Sequence, residues 1–451
     1  MATRKSEIGE LFKNIHDIEI IQDFHDLKRL SRDFYNYSPV LKSKLDGCIA
    51  DLVVRPKNIQ AVLEVAKTCW QFSLPLTLRG AGTGNYGQSV PLSGGVVMQM
   101  TYLNEVESYY EDTGFVKVQS GCLMSQLNKE LAKHGRELRL LPSTWKTATI
   151  GGFISGGSGG IGSIKWGFLR DPGNLIGLDL INLEKTPKIF KLDTQESEPI
   201  NHAYGTNGII TSLTLATDIK QNWNSIIIDC NSLKESINLL KILTGAAVEL
   251  KLGTILEKEI VEQMPSWVKE NSVLDKVLIQ ATMAGIRTIE VICKKHKLKN
   301  YLLGNENDLD NGLNDIVWNH TTLQLRAKDK NWTYLQMLLP LDEEIDLINN
   351  LRNSYGKEIL WHIEAVSQNG IPRLAALPVF KWKSQDELNL IIDKCKRCGA
   401  IIFNPHVLTV EGGGLGVVDS DQVKAKLKFD PRGLMNPGKL EGWEIKNEFI
   451  L

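Results

Sequence analysis

No stretch of this 451-residue chain approaches the ~18 consecutive apolar residues a membrane-spanning helix needs. Charge of one sign is missing too. The 52 Lys and Arg nearly balance the 53 Asp and Glu, for a net charge of −1. That balance gives no reason to expect nucleic acid or an anionic membrane surface as the main partner. Cysteine is sparse and odd in number, seven in all, so a disulfide framework is not expected and the thiols read as reduced and cytoplasmic. Cys395-Lys396-Arg397-Cys398 stands without a second Cys pair and reads as helix packing rather than a zinc or redox site. The eight histidines are scattered, and no pair has metal-ligating spacing, so no metal centre is expected. Glu7, Glu10, Asp17 and Glu19 interrupt the region where a signal peptide would need an apolar run, so export is not expected. There is no exact internal repeat and no low-complexity tract.

What is present is an ordinary globular composition, 42% hydrophobic and 23% charged, long enough for two or three domains. Residues 1–44 read as an amphipathic helical lead. Ile49 to Val54 reads as a strand ending at Arg55-Pro56. Behind it Ile59, Val62, Leu63, Val65, Ala66 and Cys69 recur at helical spacing, with Asn58 as N-cap. Strands at Pro75–Leu78 and Val96–Met100, and further strands to Thr217, make residues 45–220 an α+β unit. From about residue 221 to 403 glycine thins out, and two similar sets of strands and helices predict one antiparallel sheet backed by helices. A helix is expected near Leu256–Met264, a strand at Tyr334–Leu339, and an acidic, Asn-rich linker at Asn305–Asn314. Residues 404–451 form a C-terminal segment.

Two glycine-rich stretches carry the chemistry. Gly82-Thr83-Gly84-Asn85-Tyr86-Gly87 spells G-x-G-x-x-G after a strand. A nicotinamide dinucleotide fold needs a helix to start there. Instead Pro91, Gly94 and Gly95 follow, which cannot propagate one. What remains is a long loop, Gly80 to Gly95, whose glycines allow backbone amides to turn inward as an anion nest, with Arg79, Thr83 and Asn85 beside it. The second stretch, Thr149 to Gly162, holds seven glycines in fourteen residues. Two such walls can take a diphosphate and a flat ring between them.

"PLTLRGAGTGNYGQSVPLSGGVV", "TIGGFISGGSGGIGSIKWG", "GTNGIITSLTLAT" and "FDPRGLMNPGKL", in this order, resemble segments of the vanillyl-alcohol oxidase / p-cresol methylhydroxylase (PCMH-type) flavoprotein superfamily. The branch resembled is that of FAD-linked oxidases related to the glycolate oxidase flavin subunit and D-lactate dehydrogenases. The resemblance implies an FAD domain of two α+β subdomains and an α/β cap domain over the flavin. It implies that Arg79, Gly80, Ala81, Gly82, Thr83, Gly84, Gly87 and Gln88 form the pyrophosphate loop. Pro142, Ser143, Thr149, Gly151, Gly152 and Ser155 would run along the pyrophosphate and ribityl chain. Ile209 and Ile210 would meet the adenine end, and Asn436 and Lys439 lie in the C-terminal segment that packs near the flavin. Many relatives attach FAD to a histidine of the first loop. Here both loops lack His and Cys, and Cys122 reads as core, so non-covalent FAD is expected.

The protein's part in such chemistry is orientation and a base for a substrate hydroxyl. Hydroxy-acid-oxidising relatives often carry a metal cluster near the C-terminus, but here the corresponding stretch, Ile401 to Gly414, has a single histidine, His406, with Glu411. His406 is the first candidate base, with a hydrogen-bonded loop histidine as the alternative. His320 and Arg326, placed on a cap strand, are candidates to face the ring and to grip a carboxylate. His362 reads as packing. Three functions stay open: oxidation of an alcohol-type carbon on a small polar substrate, first of all a hydroxy acid, by hydride transfer to flavin N5; oxidation of an aldonolactone or sugar alcohol; and a flavin-binding subunit relaying electrons. The acceptor is oxygen, a quinone or a protein. An acidic substrate would call for Arg326 or Arg373 in the pocket.

Overall fold

The computed structural model describes residues 2–270, 272–305 and 312–448. A four-stranded sheet comes first, in the order Ile18–Ile21, Leu52–Pro56, Val96–Gln99, Leu76–Arg79. The last three strands run parallel. Helix Ile59–Gln71 connects two of them. Asn58 caps it by accepting from the Ala61 amide at 2.9 Å, and Val62, Val65, Ala66 and Cys69 form its buried stripe. The helical lead needs correction. Ala2–Phe12, Phe24–Leu30 and Pro39–Leu45 are helical, but Ile18–Ile21 pairs antiparallel with Leu52–Pro56 and supplies the sheet's edge. Three β-branched residues in four favour that pairing over a helix.

The second sheet is antiparallel, in the order Val106–Tyr110, Phe115–Gln119, Ile209–Ile219, Leu175–Ile181, Ile189–Leu192, with Arg136–Leu138 pairing the end of the long central strand. The mixed α+β architecture expected for the first half is thus present.

Beyond it lies the expected antiparallel sheet, eight strands from Asn300–Asn305 through Asn224–Cys230, Asp275–Ala281, Leu250–Leu256, His362–Gln368, Ile371–Ala376 and Met337–Leu338 to Ile401–Ile402. Its two faces do different work because strand side chains alternate. Ile226, Ile228, Ile255 and Ile279 pack on helices Leu233–Gly245, Met283–His296, Glu344–Tyr355 and Gln385–Arg397. Ile227, Leu252, Leu278 and Val366 face the other way, into a core shared with Ile150, Phe153, Ile154 and Ile161 of the second glycine-rich stretch. The cap sheet is thereby seated directly on the glycine walls.

Local expectations shift in three places. The helix expected near Leu256–Met264 is preceded by a strand, Leu250–Leu256, and shortens to Lys258–Val261. Tyr334–Leu339 splits into Trp332–Tyr334 and Met337–Leu338, which join different sheets. Most of the Asn305–Asn314 linker, residues 306–311, lies outside the described residues. The C-terminal segment returns to the first sheet: the Leu76 amide donates to Leu434 O and the Asn436 amide to Leu76 O, both at 2.8 Å.

Candidate functional site

Strand Leu76–Arg79 delivers the chain into the first glycine loop. Among the described residues, none of the amides of Gly80 to Gly84 donates a hydrogen bond to the rest of the chain. Backbone donors that stay unpaired await another acceptor. The Arg79 guanidinium does not point across the cavity. It folds under the loop, donating to Arg32 O at 2.7 Å, Ser89 Oγ at 3.3 Å and Ala81 O at 3.4 Å. Burial pushes its pKa down to about 10, with Asp33 opposing. Gly82, at φ +73°, leaves room for that fold, since a Cβ there would collide with the guanidinium. A Cβ on Gly80 would lie 2.1 Å from Thr149 Oγ1, so glycine is what lets the two walls approach.

The second wall runs from Pro142 to Gly159. Thr149 caps helix Ile150–Gly156 by accepting from the Gly152 amide. The Gly151 amide donates to Ser120 O at 2.8 Å, fastening the helix to the second sheet. Between the walls lies a cavity of about 500 Å³, a size suited to a cofactor. Arg79, Gly80, Ala81, Gly82, Thr83, Gly84, Gln88, Pro142, Ser143, Thr149, Gly151, Gly152, Ser155 and Ile210 line it. Three residues expected there stand behind the wall instead. Gly87 packs against Leu45 and Leu408. Ile209 faces the core of the first sheet, because it and Ile210 point to opposite sides of one strand. Asn436 donates to Gln88 O at 2.8 Å and Tyr204 O at 2.7 Å.

The cap closes the cavity with Trp318, Asn319, His320, Leu323 and Gln336. His320 and Arg326 sit on helix Asn319–Lys328, not on a strand. Its N-terminal corner is unusual. Trp318 adopts φ +53°, ψ −138°, and its amide donates to Glu364 Oε1 at 2.7 Å. Glu364 is fully buried and also bonds His362 Nε2 at 2.8 Å and Thr254 Oγ1 at 2.5 Å. His362 thus serves packing and this network. A backbone strain of this kind persists only where surrounding bonds hold it. Burial holds the His320 imidazole below its ordinary pKa, with Asp315 opposing, so it is neutral near pH 7.

His406 is not at the cavity. Its Nε2 donates to Tyr334 O at 2.9 Å, and its Nδ1 accepts from Ser38 Oγ at 2.7 Å. With both nitrogens occupied and burial pushing its pKa down to about 4, it reads as the hydrogen-bonded structural histidine. It stands one layer back, behind Tyr334, whose hydroxyl accepts from Asn85 Nδ2 at 2.8 Å. Arg326 is likewise withdrawn. It donates to Lys330 O, Trp332 O and Asn36 O and ties the cap helix to the N-terminal segment. Arg373 is held by Gln368 Oε1 and Leu339 O. The Glu411 carboxylate accepts from the Glu441 and Gly442 amides. Cys122 is core, as expected.

Sequence reasoning missed Lys146, His202, Tyr204 and Trp318 as lining residues. Lys146 bridges to Asp315 of the cap at 2.9 Å. His202 Nδ1 donates to Gly157 O at 2.7 Å. The only sequence signal was position: His202 and Tyr204 immediately precede "GTNG", and Lys146 lies between Ser143 and Thr149.

Residues 50–185 match the family described as FAD binding domain. A D-lactate dehydrogenase of Anaerostipes hadrus is 29% identical over 47% of this chain, and that match spans 46%, about half, of its own length. The glycolate oxidase subunit GlcD of Bacillus subtilis is 22% identical over 89% of this chain and 91% of its own. Among solved structures, alkyldihydroxyacetonephosphate synthase superposes with a TM-score of 0.73 at 15% identity, covering 97% of this chain and 85% of that one, a likeness of fold. The donor set suits FAD: five successive unpaired amides for a diphosphate, and glycine walls that a Cβ would block. Residues 50–185 of the chain thus carry an FAD binding domain.

Proposed function

We propose that this chain is an FAD-dependent oxidoreductase acting on the alcohol carbon of a small hydroxy acid. One observation carries the reading: the amide-lined wall Gly80–Gly84 and the His320 imidazole border the same cavity. Bound FAD supplies a hydride acceptor. His320, neutral and on the cap side, takes the hydroxyl proton as the carbon–hydrogen bond gives up its hydride, so the alcohol becomes a carbonyl. Arg79 and Lys146 are the cationic side chains on the cavity wall among the described residues. Arg79 is committed to the loop, so in this reading the carboxylate is received by Lys146, beside its bridge to Asp315. The electron acceptor is oxygen, a protein or a quinone, and the seven free cysteines support a cytoplasmic setting.

The withdrawal of Arg326 and Arg373 from the cavity favours a second reading, a sugar alcohol or aldonolactone, which needs no such cation. The two separate in an anaerobic panel of 2-hydroxy acids, sugar alcohols and aldonolactones. A hydroxy acid is expected to bleach the flavin's visible absorbance. Bleaching by the neutral polyols alone would move the assignment to the second reading. FAD is held non-covalently in this reading, since neither glycine wall offers a His or Cys. Acid precipitation is expected to leave all the yellow colour in the supernatant, and a yellow pellet would contradict it.

A further inference from the structure

The motif "NPGKL" near the C-terminus places a lysine where no solvent reaches it. Lys439 is fully buried, and its Nζ donates to three backbone carbonyls of the first glycine loop: Gly87 O at 2.5 Å, Gln88 O at 2.8 Å and Val90 O at 2.7 Å. Asn436, in a left-handed backbone at φ +42°, adds a second donor to Gln88 O. Three ammonium protons matched to carbonyls leave little capacity for anything else. Burying such a charge costs several kcal/mol unless its bonds are complete, so the arrangement has to serve the loop.

What those carbonyls fix is visible on the loop's other side. Gln88 reaches over to the second wall, where its Nε2 donates to Gly156 O at 3.0 Å. Ser89 receives Arg79 Nη1, and Arg79 in turn holds Ala81 O. The bonds therefore run from Lys439 through Gly87–Val90 and Arg79 to the Ala81 carbonyl, within the Gly80–Gly84 segment, and to the opposite wall. The latch is itself anchored. Asn436 is tied by its amide to Leu76, at the foot of the strand that enters the loop. Asp430 accepts from the Leu434 amide at 3.1 Å and the Met435 amide at 2.7 Å, and buried Lys426 joins Asp430, Thr206 O and Met435 O.

We propose that Lys439, assisted by Asn436, is a latch that holds the first glycine loop in its diphosphate-binding form, acting on affinity for the phosphates through the loop rather than by touching them. This rests on the reading of that loop as the diphosphate site. Burial depresses the Lys439 pKa, with Asp33 and Cys48 opposing the shift, so the carbonyl acceptors and Asp33 are what favour the ammonium form there.

The test compares two probes on apoprotein: FAD, and riboflavin, which carries the same ring and no phosphate. Each is titrated by flavin fluorescence against wild type, Lys439→Met and Asn436→Ala, after near-ultraviolet circular dichroism has shown each apoprotein folded. Leaving buried carbonyls unpaired is expected to weaken FAD by about 30-fold in Lys439→Met and about 10-fold in Asn436→Ala. Riboflavin binding is expected to stay within about threefold of wild type in both, because it has no phosphate for the Gly80–Gly84 amides to hold. Unchanged FAD affinity in a folded variant overturns the latch, and so does an equal loss for both probes, which is what a merely structural lysine would give. If Lys439→Met does not fold, Asn436→Ala decides by the same criteria. A wild type that binds riboflavin as tightly as FAD would overturn the diphosphate reading and the latch together.

Discussion

The cavity has two walls made of different material. On the FAD-domain side the working surface is backbone: unpaired amides of Gly80–Gly84 and a glycine-lined helix start at Thr149–Gly152. On the cap side it is side chains, Trp318, Asn319 and His320, at a corner whose backbone is held out of the ordinary regions by a buried carboxylate. A backbone surface recognises what every FAD shares, the diphosphate, and tolerates drift of the residues around it. A side-chain surface selects one substrate and depends on each residue. The cofactor is accordingly easy to assign from this molecule, whereas the proposed substrate rests on the few side chains that line the other wall.

The largest expected effect lies on the backbone wall. Gly82→Val forces a β-branched residue into φ +73° and drives its side chain into the Arg79 guanidinium. A left-handed backbone costs about 1–2 kcal/mol for an L residue before any clash is counted. The purified variant is expected to be colourless, with FAD affinity reduced more than about 100-fold; full flavin content would remove the loop from the cofactor site.

The cap wall should respond differently. His320→Asn is expected to keep its flavin spectrum while the anaerobic rate of flavin reduction falls by about 10²–10⁴, the range for loss of a general base. His406→Asn should leave that rate within about threefold, because His406 stands a layer behind the cavity. A reversal of the two results would exchange their roles.

The smallest effect is a pH dependence of stability that belongs to His406. Its folded-state pKa of about 4 lies below the unfolded value of 6.5, so the unfolded chain binds more protons between those limits. Its contribution is fully present above pH 6.5 and is lost as pH falls toward 4, by up to about 3 kcal/mol. Asp33 runs the other way: burial raises its pKa to about 6, so its neutral form favours the folded state as pH falls. The informative quantity is therefore the difference between wild type and His406→Asn in urea unfolding across pH 4 to 7. Parallel pH profiles would show that His406 is not buried neutral.

Legibility in the sequence follows the same division. Loops that must bring backbone to an anion advertise themselves, because only glycine permits φ +73° at Gly82 or contact with Thr149 at Gly80. Helix Ile59–Gln71 was readable from periodicity. The cap corner was not. Asn319–Lys328 has no marked apolar stripe, so His320 and Arg326 were placed on a strand. His406 looked catalytic because it is the one histidine in its segment, yet Ser38, far away in the chain, claims its ring. Ile18–Ile21 was lost inside a helical pattern because its partner strand lies more than thirty residues ahead.

By itself the sequence determined where backbone amides would be left bare, since that property belongs to residue type and local spacing. Which imidazole reaches the cavity, which cations are spent on carbonyls, and how a C-terminal lysine comes to brace a loop some 350 residues earlier in the chain were decided only by tertiary structure. Those are matters of which partners occupy a side chain's donors and acceptors, and such partners come from segments that meet only when the sheets have packed.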